Sequence, residues 1–126
     1  MKYLSALITW LLLAADASAS SLEQSLLKLD PEERSHQACI ARGIDVINQA
    51  NKRLRVDRLK TSIFSRAKFD GTLVTSNGGA VRSNHRWYKL SFTCSVTKDQ
   101  MKAVSFDYRL GNEIPKNEWE DLGLWE

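Results

Sequence analysis

From Arg86 to Val96 apolar and polar side chains alternate without a break. Tyr88, Leu90, Phe92, Cys94 and Val96 fall on one side, and Lys89, Ser91, Thr93 and Ser95 on the other. A period of two predicts a strand with one face on a core and the other toward water. The same period returns between Lys102 and Leu110. There Val104, Phe106, Tyr108 and Leu110 share a face opposite Ala103, Ser105, Asp107 and Arg109. With Thr97 to Gln100 as the connection, the two strands form a long hairpin whose inner face has enough aromatic and aliphatic area for a small core.

Upstream the period changes. Leu29-Asp30-Pro31-Glu32-Glu33 starts a helix: Asp30 can cap it, Pro31 suits its first position, and two glutamates complement the positive pole of its dipole. Ile40, Ile44, Ile47 and Leu54 recur at near-helical intervals beside Cys39 and Val46, which predicts a helix from Pro31 to about Gln49, with Leu54 as its outer limit. Gly43 inside that pattern costs about 1 kcal/mol of helix propensity relative to alanine, and marks a place where the helix lies close to a bulky neighbour. Ser20 to Leu29 reads as a frayed helical lead or a packing arm.

Between helix and hairpin the pattern is weaker. Leu54, Val56 and Leu59 leave helix end, loop and strand open for residues 51–60. Thr61 to Phe64 reads as a short strand, and Lys68 to Thr75 is β-rich around an Asp70-Gly71 turn. Asn77-Gly78-Gly79 predicts a tight hairpin turn from which Ala80-Val81-Arg82 pairs back. Asn84-His85 turns the chain into the long strand, and Pro115 to Leu122 suggests a short helix with Trp119 and Leu122 inward. The expected fold is α+β: one main N-terminal helix on a curved antiparallel sheet of three to five strands, and a short C-terminal helix.

Two features change that picture. Met1-Lys2, the apolar run Leu4 to Ala15, and Ala17-Ser18-Ala19 have the layout of a secretory signal peptide, residues 1–19. The run is about a dozen residues where a bilayer span needs about 20, which disfavours the alternative of an uncleaved anchor. No cysteine lies near the cleavage point, against a bacterial lipoprotein. The remaining single domain, residues 20–126, has Cys39 and Cys94 as its cysteines. In an oxidising compartment these form one disulfide, which would close a loop of about 55 residues and stabilise by roughly 4 kcal/mol on the chain-entropy view. Two buried free thiols are the alternative. Neither His36 nor His85 stands at zinc-ligand spacing from either cysteine.

Charge is segregated. Residues 20–50 hold three basic and five acidic side chains, residues 51–109 thirteen and four, and residues 110–126 one and five. A positive middle is bracketed by negative ends, a pattern that bears on partners rather than fold.

Leu29-Asp30-Pro31 with Cys39, Arg86-Trp87-Tyr88 through Phe92 and Cys94, Glu113-Ile114-Pro115, and Trp119 with Leu122-Gly123-Leu124-Trp125 together carry a resemblance over Leu27 to Trp125. The chain resembles the alphaproteobacterial family known as domain of unknown function 930. The resemblance implies an envelope protein of a rhizobial or related bacterium, and it brings no reaction, ligand or active-site residue.

No catalytic, cofactor or metal motif stands out. The serines lack a nucleophile-elbow context, and Ser76-Asn77-Gly78-Gly79 lacks the Lys-Ser or Lys-Thr of a phosphate loop. His36 and His85 read as surface residues unless they converge beside a carboxylate such as Asp45 or Asp107. Asp107 and Arg109, near Lys89 and Ser91, line a polar site or form cross-strand surface pairs. Trp87, Trp119 and Trp125 seal the open end of the core, or form an apolar ligand surface.

The best functional signal is the basic run Lys52, Arg53, Arg55, Arg58 and Lys60, which Arg66, Lys68, Arg82 and Arg86 would widen on one side. It suits lipid phosphates, lipopolysaccharide or an acidic envelope protein, and its bland alternative is a solvated helix end. The expected function is a non-catalytic, periplasmic or secreted binding or interaction module without a cofactor, nucleic-acid partner or transmembrane segment. The alternative is a small carrier or sensor of an apolar envelope ligand, with its pocket between helix and sheet.

Overall fold

A computed structural model describes residues 21–126, so the expected signal peptide and Trp10 lie outside the described residues. The main helix α1 spans Pro31–Ala50 and begins as its sequence dictates. The Asp30 carboxylate accepts the Glu33 backbone N–H at 2.9 Å, with Pro31 in the first turn. It buries Ser35, Cys39, Gly43 and Ile47, a stripe of every fourth residue. Helical residues 21–27 precede it. Arg34 holds this lead by donating to the backbone oxygens of Leu26 and Leu29, and reaches across to that of Asp99 at 2.7 Å.

Five antiparallel strands follow: β1 Val56–Lys60, β2 Lys68–Phe69, β3 Leu73–Ser83, β4 Arg86–Val96 and β5 Ala103–Glu113. The sheet order is β1-β3-β4-β5, with β2 pairing with the first half of β3. The α+β expectation therefore holds at the upper end of its strand range.

Three local readings need correction. Asn77-Gly78-Gly79 makes no hairpin turn. It is a bulge within β3, since Ser76 and Gly79 both pair onward to β4, opposite Phe92 and Leu90. A tight two-residue hairpin requires positive φ at its central residues. Gly78 and Gly79 have none, whereas Asn84 and His85 do, at 52° and 66°, and there β3 reverses into β4. Thr61 to Phe64 is not a strand but a bent connection, because the Ile63 and Phe64 amides both donate to the Gly78 oxygen exposed by that bulge. A second bulge, in β5 before Ser105, turns Val104 outward to 59% exposure and lets Ala103 take the inward place.

The sheet carries a core on each face, the second confined to the end around Trp87. On one, α1 packs Cys39 and Ile47 against Leu59, Val74, Val81, Leu90, Phe92 and Phe106, and the Cys39–Cys94 disulfide joins the layers across a Cα separation of 6.0 Å. Gly43 is the close approach anticipated: a Cβ there would fall 2.6 Å from the Phe106 ring and 2.7 Å from Leu59. On the other face Trp87, Ala80, Ile114, Trp119 and Leu124 form a separate core. A 3-10 turn, Lys116–Glu118, and the short helix α2, Trp119–Leu122, fold the chain end over it. The tryptophans thus cover the second face instead of sealing the end of the first core. Trp87 is an odd-numbered residue of β4, so it points away from α1.

Candidate anion-binding edge

The basic run is divided by the fold. α1 ends at Ala50, Lys52 and Arg53 occupy the following turn, and Arg58 and Lys60 lie on β1, an edge strand of the sheet. The solvated-helix-end reading therefore covers at most its first two cations. The backbone beneath the run is fixed. Asn48 of α1 accepts the Val56 N–H at 2.8 Å and donates to the Val56 oxygen at 2.9 Å, as a neighbouring strand would. The Arg55 N–H donates to Ser83 Oγ at 2.9 Å. Nothing in the sequence pattern marked Asn48 for this work, because its partner lies on another element.

The cations have different fates. Lys52, Arg53, Arg55 and Arg58 are exposed, and among the described residues none forms an ion pair with a carboxylate. Lys60 is half-buried, with Nζ 4.7 Å from the centre of the Trp125 ring, so it belongs to the tryptophan face. The expected widening of the patch does not form as a block. Arg82 is buried and donates to both Asp57 oxygens, at 2.9 and 2.7 Å. Arg86 lies 3.5 Å from Glu113, and Arg66 3.7 Å from Glu32. The Arg82 hydrogen bonds hold the Asp57 carboxyl below its usual range despite partial desolvation, with the Arg82 and Arg58 charges acting in the same direction. Asp57, the one anion within residues 51–60, thus spends both carboxylate oxygens on Arg82 and forms no ion pair with Lys52, Arg53, Arg55 or Arg58 among the described residues.

Other candidates separate. His36 is half-buried, a correction to its surface reading: Nδ1 is 2.8 Å from Thr61 Oγ1 and Nε2 4.0 Å from Glu32. It borders a cleft of about 400 Å³ with Asp30, Glu33, Ser62 and Arg66, whereas His85 borders a different one. Asp107 faces Thr93 and Arg109 faces Ser91, so neither of these two finds a charged partner directly opposite on β4. Between helix and sheet, where an apolar ligand would sit, Phe92 stacks on Phe106 at 4.9 Å and Gly43 presses on the same ring. Among the described residues no helix is long and apolar enough to cross a membrane.

A family described as Domain of Unknown Function (DUF930) matches residues 26–124, nearly the whole described domain. The chain belongs to this family. The capped start of α1, both disulfide cysteines, the β4 aromatics and the chain end through Trp119 and Leu124 all lie inside the match, so in this DUF930 chain the family segment is the two-faced sheet with its covers. No curated protein and no solved structure matches it. The disulfide fits an oxidising compartment.

Proposed function

We propose that this DUF930 protein is an exported, non-catalytic binding module whose β1 edge holds phosphate-bearing anionic lipid of the cell envelope. The observation that carries this reading is the set Lys52, Arg53, Arg55 and Arg58: four exposed cations in seven residues, unpaired among the described residues, on a backbone pinned by Asn48 and Ser83. Such cations meet phosphate oxygens through charge-assisted hydrogen bonds. Each contributes about 1 kcal/mol near an anionic membrane surface, so the four together amount to roughly a thousandfold in partitioning. The disulfide and the leader-like first residues support a setting where such headgroups are within reach.

The test is co-sedimentation with vesicles of phosphatidylglycerol and phosphatidylcholine. Binding is expected on the anionic vesicles alone and falls as salt shortens the Debye length. Arg53→Glu, Arg55→Glu and Arg58→Glu together lower it by about a hundredfold or more. Equal binding to neutral vesicles, or indifference to the triple reversal, would refute the reading.

A further inference from the structure

The sheet has a second edge, β5, and among the described residues no strand pairs with its outer side. The phase of the hydrogen bonds shows which groups that side presents. The Val96 N–H donates to Thr72 of the β3 side, and the Thr97 N–H to Lys102 of the β5 side. The odd-numbered residues of β4 therefore bond β5, and their partners Ser105, Asp107 and Arg109 spend their amides and carbonyls inward. Phe106, Tyr108 and Leu110 are left with backbone N–H and C=O groups directed away from β4. This stretch lies between the two bulges of β5, so it is regular backbone.

Its side chains are arranged to match themselves. Asp107 and Arg109 are exposed on the face opposite α1, and among the described residues neither takes part in an ion pair or side-chain hydrogen bond. Consider a second copy laid antiparallel with the two-fold axis through Tyr108. Tyr108 then exchanges both backbone bonds with its symmetry mate, and Phe106 does so with Leu110 of the other copy. In that register Asp107 faces Arg109, twice by symmetry, at a non-hydrogen-bonded position where side chains approach most closely. An axis through Phe106 would use the same kind of free groups but set Asp107 against Ser105. One through Leu110 would set Arg109 against Gly111. Neither makes a charge pair. The β1 edge is unsuited to the same use, since two copies would oppose Arg55, Arg58 and Lys60.

We propose that this protein associates with a second copy of itself through β5, in an isologous antiparallel pairing centred on Tyr108 that continues the sheet across both subunits. The inference is independent of the anion-binding reading, which concerns the opposite edge.

Sedimentation equilibrium of the disulfide-bonded chain tests it. A pairing of this limited extent predicts a monomer–dimer equilibrium with a Kd of about micromolar order. Asp107→Arg alone, or Arg109→Asp alone, replaces two attractions by two repulsions and weakens association by about tenfold or more. The double variant carrying both substitutions exchanges the charges and returns association to within about threefold of the parent. Circular dichroism melts of all three variants matching the parent would exclude misfolding as the cause. A monomer throughout the concentration range overturns the proposal, and so does a dimer that ignores the single reversals or is not rescued by the double one.

Discussion

The two faces of the sheet are covered in unlike ways. Against α1 the contact is aliphatic and phenylalanine-rich, drawn close by Gly43 and joined covalently through Cys39 and Cys94. Against the chain end it rests on indoles, with no covalent tie. There the Trp87 Nε1–H donates to the Trp125 oxygen at 2.7 Å, and that of Trp119 to the Ile114 oxygen at 2.9 Å. A long helix supplies its own backbone hydrogen bonds and asks the sheet only for a greasy surface. The last dozen residues, with only a 3-10 turn and one turn of α-helix, need side-chain donors to satisfy their carbonyls. The difference teaches that a short terminal cover is held by polar groups inside its core, and a helical cover by burial outside its own ladder.

Breaking the unlinked face has the largest expected effect. Trp87 is fully enclosed, so Trp87→Ala removes its burial and leaves the Trp125 carbonyl without its donor. We expect a loss of about 4–5 kcal/mol in urea unfolding, with faster tryptic cleavage at Lys116 as the chain end loosens. On the helix face, Cys39→Ser with Cys94→Ser returns the 55-residue separation to the unfolded chain's freedom. That costs about 3–4 kcal/mol in the same assay. Gly43→Val drives side-chain carbon into Phe106 and Leu59 and costs about 2–3 kcal/mol, with a lowered thermal midpoint.

Smaller effects sharpen the contrast at the β1 margin. The folded carboxyl of Asp57 titrates lower than in the unfolded chain because Arg82 binds the charged form. Its stabilising contribution is therefore complete above about pH 4, the ordinary carboxylate value, and is lost as pH falls further through the folded value. Asp57→Asn flattens that acid limb in a plot of thermal midpoint against pH, and leaves the Trp125 environment unchanged in fluorescence. The least effect is a gain. His85 holds a left-handed backbone at φ 66° in the β3–β4 turn, and His85→Gly raises stability by about 0.5 kcal/mol.

What the sequence determined by itself was whatever short-range physics controls. The Asp30 cap, the period-two strand through Cys94 and the Asn84-His85 turn each depend on a few adjacent residues and their intrinsic geometry, whereas Gly43 signalled a close approach but not that Phe106 and Leu59 make it. The β4–β5 hairpin was legible for the same reason except at Val104, which strict alternation placed inward and a bulge turned out. The basic run was legible as composition. Which of its members stay unpaired was not, because Asp57 and Arg82 are 25 residues apart and meet only when β1 lies beside β3. Asn77-Gly78-Gly79 misled because glycine permits a turn without requiring one, and its neighbours on both sides already had places along β4. The second core was decided by tertiary structure alone. Alternation says that Trp87 leaves the helix face, but only docking of the distant chain end makes its destination dry.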